Sequence, residues 1–373
     1  MPTLTPTVNT ASVMVPQAPQ LSAKAWVLMD ADSGAIISSQ DPDERLPPAS
    51  LTKLMTVYIA TRDIQAGRLK PTDMVDVSSN AWSTGGSRMF LAEHSRVSVD
   101  DLLHGIIIDS GNDSAVALAE HIAGSEDAFA QMMNAMAQKL GLANSHFMNP
   151  TGLPVDDHYS SAHDMALLAR AIIHDEAGYY PLYANKYFTW NNIRQPNRNL
   201  LLWRDPTVDG LKTGHTEAAG YCMVSSALRD HQRLIATVFG SNSIENRSED
   251  SQKLLTYGFR FFETHTYEQG GKVLANAPLW KGAKDTLAVG LLDNLTLTLP
   301  RKSNRNVQPR ATFNSPLQAP IAAGSVVGTY DLYDGDQKIA SRPLVALEDG
   351  KEGGLFTRLF DDVRMFFHNL FGG

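Results

Sequence analysis

Pro47-Pro48-Ala49-Ser50-Leu51-Thr52-Lys53 opens the stretch on which the reading of this chain turns. The two prolines break whatever precedes them, and Ala49 to Ala66 then reads as a helix. Positions three apart on a helix share a face, so the Lys53 amine can reach the Ser50 hydroxyl. Serine is a weak nucleophile until a base takes its proton, and a lysine can do so only as the neutral amine. Burial disfavours the ammonium form, and a second cation nearby disfavours it further. At a helix start, backbone N–H groups and the positive dipole end also favour an alkoxide on Ser50. This is the only Ser-x-x-Lys in the chain. One such tetrapeptide is nevertheless expected from ordinary composition in a chain of this size, so the pair needs company.

Two further tripeptides supply it. Ser110-Gly111-Asn112 follows the apolar run Gly105-Ile-Ile-Ile108 and precedes an Ala-rich segment, Asp113 to Ala123, that reads as a second helix. By itself it is a turn and a helix cap, which Ser, Gly and Asn all favour. Lys212-Thr213-Gly214-His215-Thr216 lies just before Ala219-Gly220-Tyr221, and alone is a strand-edge sequence. The three motifs stand in order, with 57 positions from Lys53 to Ser110 and 100 from Asn112 to Lys212.

Outward from these motifs, Ala25 to Asp30 and Ala35 to Ser39 flank Ala31-Asp-Ser-Gly34 as a hairpin. Asp127 to Leu140 is predicted as a helix with Phe129, Met132, Met133, Met136 and Leu140 on its core face. Ser161-Ala-His-Asp164 is a capping box opening a helix to about Ile173. Tyr221 to Leu228 and Leu234 to Gly240 read as strands joined by the Arg229-Asp-His-Gln232 turn, and a helix follows from about Ser248 to Phe262. This order predicts a mixed α/β unit over 21–263, after a flexible leader at 1–20. Residues 264–352 read as a small all-β domain, from the runs at 288–292, 295–299, 325–330 and 343–347. The last segment, 353–373, predicts an amphipathic helix. Phe356, Leu359, Phe360, Val363, Phe367 and Leu370 recur every three or four positions, opposite Arg358, Asp361, Asp362 and Arg364. Its aromatic density favours a membrane interface, although its charges cancel.

Composition narrows the chemistry. With 373 residues, 43% hydrophobic and 19% charged, the chain can bury a sizeable core. A net charge of −8 does not suit a phosphate-tracking surface, so no nucleic-acid partner is expected. The single cysteine, Cys222, excludes an intrachain disulfide and reads as a buried structural thiol. No zinc motif, phosphate loop or nucleophile elbow is found, and the eleven histidines are scattered, so no metal or cofactor is expected. No apolar stretch reaches the ~18–20 residues that span a bilayer. Met1 to Pro19 has neither the positive start nor the apolar centre of a signal peptide, which fits either a cytosolic protein or a processed form.

Ser-x-x-Lys, Ser-x-Asn and Lys-Thr-Gly together resemble the serine penicillin-recognising enzymes. With Gly111 in the middle motif and Lys212-Thr-Gly-His-Thr216, the chain is similar to the low-molecular-mass D-alanyl-D-alanine carboxypeptidases of the penicillin-binding protein 5/6 type. The likeness runs from about Ala25 to the C-terminus and includes Asn197 to Trp203, Val208 to Lys212, Gly258 to Glu263 and Arg342 to Val345. It implies a β-lactamase-like α/β transpeptidase domain, a small C-terminal all-β domain and a terminal amphipathic helix. It implies Ser50 as nucleophile, Lys53 as base, Ser110 as proton relay, Asn112 on the acylated substrate's amide, and Lys212 as the cation that holds Lys53 neutral. The N–H groups of Ser50 and His215 would form the oxyanion hole. Thr213, Gly214, Thr216, Arg198 and Arg247 would bind substrate; both arginines also read as surface or loop anchors.

The implied partners are the peptidoglycan stem pentapeptide, β-lactams as covalent inhibitors, the inner-membrane surface and a second copy in a homodimer. The implied place is the periplasm, on the outer face of the inner membrane. Ser83 to Phe90 is a few residues shorter than the family's active-site loop, which bears on deacylation. A β-lactamase is disfavoured, since no Glu-x-x-x-Asn lies between Asn112 and Lys212. A DD-endopeptidase and a non-catalytic, acylatable wall-binding module remain the rival readings.

Overall fold

Two faces of one sheet explain most of the first half of the chain. The computed structural model describes residues 15–301, 305–314, 316–356 and 361, and the chain divides between Glu263 and Thr264 into two compact units. The first unit holds a five-stranded antiparallel sheet in the order Ile36–Gln40, Ala25–Asp30, Gln232–Ser241, Gly220–Arg229, Val208–Thr216. Ala25–Asp30 is buried along its whole length. Its alternation sends Ala25, Val27 and Met29 into the larger core, beneath the helices, and Trp26 and Leu28 into a second core under the helix Ile244–Phe261. Gln232–Ser241 divides the same way, with Ile235 and Phe239 on one side and Leu234, Ala236 and Val238 on the other. Each large side chain so buried contributes roughly 1.5–3 kcal/mol. Gly258 lets the covering helix approach, since a Cβ there would stand 2.5 Å from Leu234 Cδ1.

The hairpins form as the sequence indicates. Arg229 pairs with Gln232 across a two-residue turn in which Asp230 and His231 have φ of 45° and 68°, the left-handed pair that matches strand twist. The helix Ala162–Asp175 is capped by Ser161, which accepts the Asp164 N–H. Ile244–Phe261 starts four residues earlier than expected. Ser243 caps it by accepting the Asn246 N–H, a signal hidden by the polar first turns. In Glu126–Leu140, Phe129 and Met133 are buried, while Met132, at the margin of the stripe, is 37% exposed and not core. Of the expected leader, residues 15–20 are described and are not free. Pro16 O accepts the Tyr257 hydroxyl at 2.8 Å, and Ala18 packs on the second core.

The second unit is all-β. A five-stranded antiparallel sheet runs Val273–Pro278, Thr286–Gly290, Gln337–Ala346, Val326–Asp334, Val307–Phe313, beside the pair Phe262–Glu268 and Leu295–Pro300. Leu287, Val289, Leu295, Tyr330, Leu332 and Leu344 fill its core. The two edge strands carried no sequence signal. Val307–Phe313 is largely exposed and contains Pro309, which only an edge tolerates. The amphipathic helix expected over 353–373 lies outside the described residues, apart from 353–356 and 361.

Candidate active site

Ser50 and Lys53 meet as their spacing demands, but not on one continuous α-helix. Ala49–Thr52 is a tight 3₁₀ turn and the α-helix Lys53–Gln65 begins after it. Lys53 is fully buried, with Nζ 3.0 Å from Ser50 Oγ, 2.6 Å from Asn112 Oδ1 and 2.6 Å from Thr151 O. Two of these three neighbours are pure acceptors. A neutral amine has two N–H bonds and one lone pair, so the lone pair is left facing the only neighbour with a proton to give, the Ser50 hydroxyl. The Asn112 amide is fixed in that sense because its Nδ2 donates to Gly85 O at 2.7 Å. Burial, then the Arg198 guanidinium, lower Lys53 to about 7, with Asp113 opposing.

Sequence reasoning assigned the depressing cation to Lys212, and the two buried lysines do act on one another, with Arg198 a further cation beside them. Lys212 is itself buried and pushed well below its usual range, by burial first and then by Lys53, Arg198 and Arg247. It donates to Ser110 Oγ at 2.9 Å and to Thr213 O at 3.3 Å. Ser110 takes a left-handed backbone, φ 61°, at the end of the wide turn Gly105–Asp109, a costly conformation for a non-glycine residue. Gly111 is needed beside it, since a Cβ there would come 2.7 Å from Ser114 Oγ and 2.9 Å from Asp113 Oδ1.

Several supports were not read from the sequence. Asp113, in the first turn of the helix Asn112–Ala123, accepts the N–H groups of Met89 and Leu91 at 2.9 and 3.1 Å. It thereby pins the loop Ser83 to Phe90; an acidic residue at a helix start signals only the dipole. Asn149 Oδ1 accepts from Thr151 N and Gly152 N, folding the turn whose carbonyl reaches Lys53. Gly152 has φ 82°, and a Cβ there would lie 1.8 Å from Ala49 O. His158 hydrogen-bonds Thr52 Oγ1 at 2.9 Å and is lowered to about 4, chiefly by burial, so it buttresses the turn as a neutral ring. His163 instead faces Asp43 at 3.0 Å. Burial pushes the Cys222 thiol up to about 11, as suits an inert core residue.

A cavity of about 550 Å³ is lined by Ser50, Ser110, Arg198, Thr213, Gly214, His215 and Arg247, together with Ser87 and Gln195. Lys53, Asn112 and Lys212 are buried residues that meet this lining through Ser50 and Ser110. Thr216 is set apart. Its Oγ1 accepts the Ala219 N–H, and it lines a neighbouring cavity of about 290 Å³. Arg247 is buried and donates from Nη1 to Gly214 O at 3.1 Å; burial lowers it to about 10. Its guanidinium lies 5.7 Å from the Tyr221 ring centroid, and that ring stacks on His215 at 4.1 Å. No cluster of metal ligands occurs among the described residues.

A hydroxyl, a depressed amine and a cation-lined cavity can perform acyl transfer to serine. Residues 12–243 match the family model described as D-alanyl-D-alanine carboxypeptidase. The chain belongs to that family. Residues 262–352 match the C-terminal domain of penicillin-binding protein 5. D-alanyl-D-alanine carboxypeptidase DacA of Escherichia coli K12 is 43% identical over 367 residues, covering 96% of this chain and 91% of that protein. The crystal structure of penicillin-binding protein 5 from Haemophilus influenzae superposes with a TM-score of 0.87 at 41% identity, over 90% of this chain and 100% of that one. Penicillin-binding protein D2 of Listeria monocytogenes, in its ampicillin-bound form, gives a TM-score of 0.59 at 29% identity, over 64% and 98%. The serine carboxypeptidase activity expected from the sequence is that of this family, and so is the α/β fold with an all-β second unit.

Proposed function

We propose that the chain removes the terminal D-alanine of peptidoglycan pentapeptides through an acyl-enzyme on Ser50, and that β-lactams are trapped at the same step. The ligand set of Lys53 carries this reading. Neutral Lys53 takes the Ser50 proton as Oγ attacks the carbonyl between the two D-alanines. The backbone N–H groups of Ser50 and His215 stabilise the oxyanion, which in acyl transfer is commonly the largest electrostatic contribution. Ser110, hydrogen-bonded to Lys212, relays that proton from Lys53 to the departing amine, so D-alanine leaves neutral at nitrogen and Lys53 is neutral again. Water then attacks the ester, its proton passing to the neutral Lys53 and on to the departing Ser50 Oγ, which releases the shortened peptide and restores the free enzyme. Arg198, Arg247 and Thr213 take the terminal carboxylate, and Gly214 keeps the strand close to Ser50. Both ends of the Asn112 amide are engaged with Lys53 and Gly85, so in the free enzyme it positions the base. The second N–H of Nδ2 is left to donate to the substrate's amide carbonyl.

The chain acts in the periplasm, held on the outer face of the inner membrane by residues 353–373. Support for this comes from the sequence pattern of that segment. Binding to lipid vesicles with and without it tests the attachment, and mass in solution tells monomer from homodimer. Free D-alanine released from an N-acylated Lys-D-Ala-D-Ala, and blocked by penicillin, is the expected outcome for the activity. Ser50→Ala should take no labelled penicillin. Acylation without turnover would favour a wall-binding module, and faster cleavage of a cross-linked dimer would favour an endopeptidase.

A further inference from the structure

Arg247 stands near the start of the helix Ile244–Phe261 and is 4% exposed. Its Nε has no hydrogen-bond partner among the described residues, while its Nη1 donates to Gly214 O at 3.1 Å. A buried guanidinium calls for strong acceptors, and this one is directed at a peptide. The Gly214 carbonyl and the His215 N–H belong to one trans peptide unit, so with the carbonyl turned to Arg247 the N–H points the opposite way. That N–H is one of the two oxyanion donors in the reading above, and the other is close by. A Cβ on Gly214 would lie 3.2 Å from Ser50 N and 3.0 Å from Pro48 O. Ser50, Gly214, His215, Tyr221 and Arg247 all line the same cavity. Tyr221 faces His215 directly across the strand pair. Its ring stacks on the imidazole with centroids 4.1 Å apart and lies 5.7 Å from the Arg247 guanidinium. Carbonyl and ring together fix where the cation stands.

We propose that Arg247 is a positioning residue for the oxyanion hole: its hydrogen bond to Gly214 O holds the Gly214–His215 peptide in line and polarises the His215 N–H toward the negative oxygen of the tetrahedral intermediate. A full charge on the carbonyl side of a peptide makes its N–H a stronger donor, because successive hydrogen bonds polarise one another in a low-dielectric interior. This inference rests on the carboxypeptidase reading above and extends it, since there Arg247 acts on the terminal carboxylate alone. The action described here is exerted at the reacting carbonyl. It therefore holds for ligands that carry no carboxylate at all.

The test uses diacylated Lys joined to D-1-aminoethylboronic acid, a peptide with boron in place of the reacting carbonyl and no carboxylate. Boron bonds to Ser50 Oγ, the hydroxyl proton passes to Lys53, and a boron-bound oxygen takes the oxyanion position. Its Ki should rise about tenfold in Arg247→Ala and about threefold in Arg247→Lys. The lysine keeps the charge but its amine ends one bond short of Nη1, so it separates the hydrogen bond from the bare charge. An unchanged Ki in Arg247→Lys overturns the proposal, and this variant decides even where Arg247→Ala does not fold. Ki is independent of the amount of folded enzyme, so a merely structural loss lowers the number of titratable sites without moving it. A second measurement is kcat/KM for the ethyl thioester of diacylated Lys-D-Ala, which is neutral at its leaving end. It should fall by the factor by which Ki rises; a loss confined to diacylated Lys-D-Ala-D-Ala also overturns the proposal. Failure of the wild type to release D-alanine removes the carboxypeptidase reading and this inference with it, whereas release with an unmoved Ki removes only the role of Arg247.

Discussion

The two compact units make opposite use of burial. In the first, Lys53, Lys212, Arg247, Asp109, Asp113, Asn112 and His158 are all buried. In the second, among the described residues, Asp331 is the one buried polar side chain, and Lys338 pairs with it at 2.8 Å. Removing a charge from water costs several kcal/mol unless partners offset it, and the second unit's core keeps clear of that cost. The first unit accepts that cost where a depressed amine is needed, and two of its non-glycine residues with a left-handed backbone, Ala49 and Ser110, stand there too.

The sharpest way to break this contrast is to remove the buried amine. Lys53→Ala should lower the acylation rate by penicillin about 10³-fold or more, read as covalent labelling over time. In the wild type the same rate should fall about tenfold per pH unit below the Lys53 value of about 7 and level off above it. The sign for stability follows. A lysine lowered by folding binds fewer protons folded than unfolded, so its destabilising contribution is complete below about 7. It shrinks as pH rises towards about 10.4, the unfolded value. A smaller effect is expected at Gly152→Ala. A left-handed backbone and the Ala49 carbonyl both oppose a methyl there, so stability should fall by about 2–4 kcal/mol in denaturant unfolding, with slower acylation. Smallest at the site is Leu332→Ala in the second unit. It should cost about 2–4 kcal/mol in that unit's own unfolding transition and leave the acylation rate unchanged. A slower rate in Leu332→Ala would show that the units do not divide labour as their cores do.

Much of this arrangement was legible before the structure. Apolar runs beside turn residues picked out Ala25–Asp30 and the strand read over 234–240, observed as Gln232–Ser241, and the three-residue spacing brought Ser50 to Lys53. What escaped has a common cause. The Thr151 carbonyl is main chain and leaves no side-chain signature. Asp113 reads as a dipole partner because its true ligands, Met89 and Leu91 N–H, come from a loop 20-odd positions upstream. Arg198 joins in depressing Lys53 because it comes near in space, which no order of motifs encodes. Thr216 belongs to the quoted pentapeptide, yet it lines a neighbouring cavity and its Oγ1 accepts the Ala219 N–H, a placement the tripeptide spacing does not encode.

One helix start serves two masters. Asn112 and Asp113 suspend the loop that borders the cavity, through Ser87 O, Gly85 O and the Met89 and Leu91 N–H groups, and the same Asn112 grips the base. Under drug selection the obvious escape is a remodelled loop that rejects the antibiotic. Here such remodelling tugs on the amine that the natural substrate also requires, so resistance by that route brings a fitness penalty with it.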